Sequence, residues 1–310
     1  MKRFLIKIIL LASLIFFAVL IINYRMLREK DDWSLYSHEK NVILAYNRLK
    51  ALGDTNKIII IAGSNGGFSI NSRMISDTFQ IPVVNTSTHA GLGVRMQFEM
   101  YKDFLKKGDI IIFCPEYESG KGGLYGSSAL FRILSTHMPW AYRRISLPQW
   151  LFLYKYIGIH YTETLEHKTV KEFDGPYSAK ALNEYGDVEY ERNHKDSIGL
   201  YDLCGILDVD VVNYYKYLHT YAKENGIILI FLPPTFIASN FKTAYNQIDS
   251  IAKSLEQHGI AWQASPSNYS FPDSLYFDTP YHMTQSGANK RTEVLIKDLL
   301  RILADYKNKK

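Results

Sequence analysis

Residues 58–61 are four consecutive isoleucines, and the run breaks at once into Ala-Gly-Ser-Asn-Gly-Gly. Four β-branched residues in a row predict a buried strand. The glycines behind them force a turn at its carboxyl end. With its flanks this strand covers 57–62, and the short apolar runs 82–85, 109–114, 226–232 and 260–262 read the same way. Between them lie stretches with helical spacing: 70–79, 93–107, 211–225, 241–258 and 286–306. In 93–107 the apolar positions are Val94, Met96, Phe98, Tyr101, Phe104 and Leu105. Strands alternating with helices predict parallel βαβ units, hence an α/β fold: a three-layer αβα sandwich around a mostly parallel sheet. A further helix is expected over 33–52.

The N-terminus adds a second constraint. Residues 4–22 are a 19-residue apolar run with one charge, Lys7, near its start. A helix of that length spans a hydrocarbon core of about 30 Å, and Lys7 can snorkel to the interface. No small-x-small cleavage site follows, so an uncleaved transmembrane anchor is expected rather than a signal peptide. Basic residues flank the run on both sides, so charge does not orient it. The expected division is 1–32 for tail and anchor and 33–310 for one domain. The rhythm breaks over about 118–207, which reads as an insertion with an apolar helical part and a polar, loop-rich part. Long insertions of this kind shape active sites. Its segment 150–159 is too short to span a membrane and is a candidate to rest on one.

The net charge is +5. Residues 1–32 hold six basic side chains against three acidic ones, so three of those five charges sit there. The body is not a nucleic-acid binder on this balance. The two cysteines, Cys114 and Cys204, form no C-x-x-C, so a structural zinc site is not expected. Cys114 reads as a small buried hydrophobe, and a Cys114–Cys204 disulfide stays open. The 23 tyrosines read first as amphipathic packing and second as a sugar-binding surface.

Three chemistries use a strand that ends in such a turn. A dinucleotide site needs G-x-G-x-x-G, which Gly63-Ser-Asn-Gly-Gly does not supply, and the next strand ends in Asn85 and Thr86 rather than an acid. A phosphate loop needs a Gly-Lys-Ser/Thr ending, and no lysine follows. A serine nucleophile needs a base and an orienting carboxylate. Asp278 and His282 supply both from the far end of the chain, just before a helix.

The blocks "AGSNGGFSINS", "VVNTSTHAGLG", "GDIIIFCPEYE" and "FDTPYHMTQSGANK" together resemble the SGNH/GDSL hydrolase superfamily. They are most similar to its membrane-anchored extracytoplasmic branch. That branch includes the protein that assists D-alanylation of teichoic acids and the enzymes that O-acetylate exported polysaccharides. The likeness covers roughly 57–114 and 226–303. It implies Ser64 as nucleophile, His282 as general base and then acid, and Asp278 as orienting carboxylate. It also implies an oxyanion hole from the Ser64 N–H and that of Gly91 or Gly93, and it calls for no cofactor. The implied setting is the cell membrane, with one span and the body outside. The implied partners are a cell-envelope polysaccharide or its precursor, a membrane acyl-donor protein, and the bilayer through residues 4–22. Two features depart from the family pattern. Three residues rather than two separate Asp278 from His282. The third block carries Glu116 and Tyr117 where simple esterases have an Asn after a Gly. Asn65 or Asn85 is then a candidate to complete the hole.

Other candidates have ordinary alternatives. Ser64 can simply cap a helix. His89 either faces the site or is structural. Glu116 and Glu118 either bind substrate hydroxyls or a metal, or form a solvated loop, and no metal is assigned. Arg143 and Arg144 with Trp140 and Trp150 either contact sugar or pack. The expected function is transfer or hydrolysis of an O-acyl group, acetyl first, on envelope polysaccharide. The alternative is a non-catalytic glycan-binding or assembly factor on the same fold.

Overall fold

The computed structural model describes residues 2–28, 37–156, 162, 173–195 and 198–308. Four of the five apolar runs form strands: β1 (Ile58–Ile61), β2 (Val83–Asn85), β3 (Ile110–Phe113) and β4 (Ile228–Phe231). All pair in parallel, in the order β2-β1-β3-β4. Ile60 aligns with Asn85 on one side and Ile112 on the other, so the carboxyl ends gather on one edge.

Two-residue alternation divides the side chains between two apolar clusters. Ile59, Ile61, Ile111, Phe113 and Phe231 join residues of α2 (Asn41–Leu52), α5 (Gly93–Glu99), α6 (Ser128–Thr136), α8 (Val209–Glu224) and α10 (Tyr245–Gln257). Ile58, Ile60, Ile110, Ile112 and Ile230 join those of α4 (Ser72–Phe79) and α11 (Gln285–Asn308). Helices therefore cover both faces of a parallel sheet, which explains why its strands are apolar except at Asn85, the carboxyl end of β2. The remaining helices are α1 (Lys2–Arg28), α3 (Ser64–Ser69), α7 (Leu147–Leu153) and α9 (Ala238–Thr243).

The strand expected at 260–262 does not form. Ile260 donates its N–H back to Leu255 to close α10, and contact with β4 comes from Gln263, whose backbone N–H donates to Phe231 O and whose side-chain amide donates to Leu229 O. Trp262 goes into the core instead, against Tyr117 and Phe231. A two-residue parallel pair, β5 (Phe236–Ile237) with β6 (Ser270–Phe271), forms apart from the main sheet. Two expected helices are interrupted. The 93–107 helix ends at Glu99, before a 3₁₀ turn over Lys102–Phe104, and 241–258 breaks at Ala244 into α9 and α10. The lead-in helix begins as a 3₁₀ turn at His38, and 33–36 lie outside the described residues.

A helix does form over the N-terminal apolar run. Most of its described apolar side chains, Phe4, Leu10, Leu14 and Phe17 among them, are exposed, while Val19 packs against the core. Among the described residues, however, no helix is long and apolar enough to cross a membrane. The continuous described stretch of side chains in α1, residues 2–19, carries three cations, Lys2, Arg3 and Lys7.

The insertion contributes α6, a 3₁₀ turn over Pro139–Arg144, α7, and a strap of chain, 173–195, that returns to the carboxyl edge. Much of 157–172 and residues 196–197 lie outside the described residues, so the candidate membrane-resting segment 150–159 is described only to Tyr156. Arg144 pairs with Asp103, Arg143 lies over Trp140, and Trp150 stacks on Tyr142. These contacts hold the four residues, with Tyr142 and Asp103, against their neighbours. Cys114 and Cys204 are both free, one buried and one exposed.

Candidate active site

The strand order reverses between β1 and β3: the chain steps to β2 on one side, then crosses to β3 on the other. Such a switch point opens a crevice at the carboxyl edge. Ser64 follows β1 and Glu116 follows β3, so both face it.

Ser64 is the first residue of α3, with Gly63 as its N-cap. A Cβ at Gly63 would lie 2.3 Å from both carboxylate oxygens of Glu116, so only glycine lets that carboxylate approach. Glu116 Oε1 accepts the N–H of Asn65 at 3.1 Å. Its Oε2 is buried without a hydrogen-bond partner. The N–H of Ser64 heads the helix, where no intrahelical acceptor exists. Ser64 is partly exposed, whereas residues 65–69 are buried.

His282 arrives on a closed loop. Tyr276 and Met283 form an antiparallel bridge, and Phe277 N–H donates to His282 O at 2.8 Å. Residues 278–281 make the turn between them. Thr279 Oγ1 accepts the N–H of His282 at 3.0 Å and that of Tyr281 at 3.3 Å. The three residues between Asp278 and His282 thus form a turn that Thr279 caps. His282 Nε2 lies 2.8 Å from Ser64 Oγ, and Nδ1 lies 3.1 Å from Asp278 Oδ1. With Nδ1–H donating to the carboxylate, the Nε2 lone pair faces the serine hydroxyl. Phe68, one turn beyond Ser64 on α3, stacks on the imidazole at 4.2 Å and 13° and fixes its plane.

Four residues that sequence reasoning missed hold this arrangement. Tyr177, from the strap, donates its hydroxyl to Asp278 Oδ2 at 2.7 Å, and its oxygen is 3.0 Å from His282 Nδ1. Arg192, from the same strap, donates to Phe68 O at 3.1 Å, to Met283 O at 3.0 Å, and to Val188 O and Tyr190 O. One guanidinium therefore ties the serine helix to the histidine loop. Arg291, fully buried on α11, donates to Asn65 O at 3.0 Å and to Asn65 Oδ1 at 3.3 Å from beneath. His38 places its buried ring against Phe68 and Tyr177. None of these four carried a legible signal; Phe68, likewise missed, did, in its i+4 spacing from Ser64.

Electrostatics follow from this packing. Burial raises the Asp278 carboxyl, but the hydrogen bond and charge of His282, the Tyr177 hydroxyl and Lys195 outweigh it. The group ends below the usual carboxylate range. Burial pushes His38 down to about 4, so its imidazole is neutral. Glu118 is pushed up to about 7, first by burial and then by the Glu116 charge, against the hydroxyls of Tyr281 and Tyr201 that donate to it.

The other candidates are already committed elsewhere. Asn65 Nδ2 donates to Cys114 O at 3.1 Å, and Asn85 Nδ2 donates to Gly66 O at 3.0 Å and Asp187 Oδ1 at 2.8 Å. Both amides are fully buried scaffold, so neither side chain is free to complete an oxyanion hole. Gly93 N–H donates to Ala90 O, and Gly91 N–H donates to His89 Nδ1 at 2.8 Å. Among the described residues no cluster of His, Cys, Asp and Glu is placed to hold a metal ion. In comparisons with protein-family models, curated proteins and solved structures, nothing matched this chain.

Proposed function

We propose that this chain is a serine acyltransferase or esterase of SGNH type, with Ser64 as nucleophile. The observation that carries the reading is the continuous contact from Ser64 Oγ to His282 Nε2, and from His282 Nδ1 to Asp278. A serine hydroxyl reacts only when a base accepts its proton. Here the base is within reach, its tautomer is set by the carboxylate, and its ring is held by Phe68. Ser64 Oγ adds to an acyl carbonyl, giving its proton to Nε2. His282 then returns that proton to the leaving oxygen. A hydroxyl acceptor or water reverses the sequence and releases the acyl group. The Ser64 N–H is one donor to the oxyanion.

The acyl group is acetyl and the acceptor is a hydroxyl of envelope polysaccharide; both belong to the proposal through the resemblance of the four blocks. So does a membrane anchor in α1. So many large apolar side chains standing exposed along one helix, Phe4 to Phe17 among them, call for an apolar surrounding. A single-pass protein with its body outside would meet a membrane acyl donor there.

The test is a fluorophosphonate probe on the full chain in detergent. Labelling of the wild type that disappears in Ser64→Ala is expected. An unlabelled wild type, or equal labelling of the variant, overturns the reading.

A further inference from the structure

The triad leaves the developing oxyanion one donor short. Asn65, Asn85, Gly91 and Gly93 all spend their N–H groups within the fold. We infer that His89 completes the oxyanion hole, donating from Nε2–H as a neutral imidazole. This inference rests on the Ser64–His282–Asp278 reading.

The tautomer follows from one hydrogen bond. Gly91 N–H can only donate, so His89 Nδ1, 2.8 Å away, must accept. The proton of a neutral ring is then on Nε2. His89 is the N-cap of the 3₁₀ turn Ala90–Leu92, so its Nδ1 also sits at the positive end of that turn. Burial lowers its basicity further, and Arg132 and His282 add to this, while Glu39 and Glu116 oppose it. Nδ1 protonation would also break the bond to Gly91. The ring therefore stays a donor without becoming a competing acid.

Its position suits the role. His89 follows β2, beside β1, and the intervening loop lies directly on α3. A Cβ at Gly66 would be 2.1 Å from Ser87 Oγ, and one at Gly67 would be 3.3 Å from Ser87 O. The ring is partly exposed at the carboxyl edge, with Nε2 uncommitted among the described residues, and it lies within electrostatic reach of both His282 and Glu116.

In the step itself, Ser64 Oγ bonds to the carbonyl carbon and its proton moves to His282 Nε2. The carbonyl π pair moves onto oxygen, which accepts from Ser64 N–H and His89 Nε2–H. No proton leaves His89. Collapse re-forms the carbonyl and expels the leaving oxygen with the proton from His282.

The test uses the full chain in detergent, with p-nitrophenyl acetate turnover and the rate of Ser64 phosphonylation read in parallel. His89→Phe keeps a ring without a donor, and His89→Gln restores a donor. His89→Phe should lower kcat or the phosphonylation rate by about 10²–10³, with KM changed by less than about threefold, and His89→Gln should recover part of the loss. Nitrogen NMR of the wild type, which does not depend on how the variants fold, should show the Nε2–H tautomer of His89. It should also show that N–H shifting downfield in the Ser64 phosphonate adduct. Wild-type rates in His89→Phe, or a proton on Nδ1, overturn the inference. If Ser64→Ala retains the wild-type rate, the triad reading fails and this inference with it. If Ser64→Ala is inactive while His89→Phe is not, only this inference fails.

Discussion

Asp278 has two oxygens, one turned to the imidazole and one capped by the Tyr177 hydroxyl. Removing the carboxylate charge with Asp278→Asn should cost about 10⁴ in kcat, because the imidazole loses the partner that sets its tautomer. Steady-state kinetics checks this. Glu118 offers a stability test with a definite sign. Its folded pKa is raised to about 7 from an ordinary 4.5, so the folded state binds more protons between those values. The Glu118 contribution to stability is then fully present below about pH 4.5 and is lost as pH rises through about 7. Thermal melts across that range should show the fall in the wild type and a flatter profile in Glu118→Gln. Asp278 has the opposite sign: its pKa is lowered, so its contribution holds above the ordinary carboxylate range and is lost on acidification through the folded value.

At the scale of elements, α3, the 278–281 turn and the strap are separate pieces joined by a few polar side chains. Arg192 links α3, the strap and Met283, the residue after His282, through carbonyl oxygens. Hydrogen bonds to a buried cation contribute about 1.5–3 kcal/mol each. Arg192→Ala should therefore lower the melting temperature by several degrees and loosen the His282 loop. Arg192→Lys should not rescue it, since an ammonium cannot span the same fork. Thermal unfolding by circular dichroism reads both. Gly63 and Glu116 form a second joint. Gly63→Ala should destabilise through the clash with the carboxylate, and Glu116→Ala should destabilise by orphaning Asn65 N–H. In the double variant the clash is gone, so a mutant cycle should show coupling of about 1–3 kcal/mol.

These joints mark where sequence reading stopped. Runs such as Ile58–Ile61 and Ile110–Phe113 announced themselves because a strand covered on both faces needs apolar residues at every position. The run at 260–262 looked alike, but its backbone was needed to end α10, and local apolarity does not reveal that competition. Ser64, Asp278 and His282 were legible because the turn and the C-terminal block each carry chemistry in few residues. Tyr177 and Arg192 were not, because a loop residue acts through tertiary placement and leaves no period behind. Asn65 and Asn85 misled for a related reason: an amide near a site is as useful to the scaffold as to a substrate.

Over the whole molecule, the parallel sheet brings together groups 218 positions apart, Ser64 and His282, at the edge where the strand order reverses. The exposed apolar face of α1 lies at the other extreme of the chain's chemistry. If it is an anchor, the full chain should pellet with membranes and resist alkaline carbonate, leaving only with detergent. Release by carbonate would contradict the anchor and leave the catalytic reading untouched. Activation of Ser64 by His282 is read out in the second-order rate constant for phosphonylation of Ser64 in the full chain. His282→Ala should react at least about a hundredfold more slowly than the wild type, within the usual worth of a general base. Equal rates in the two, with modification still at Ser64, would contradict it.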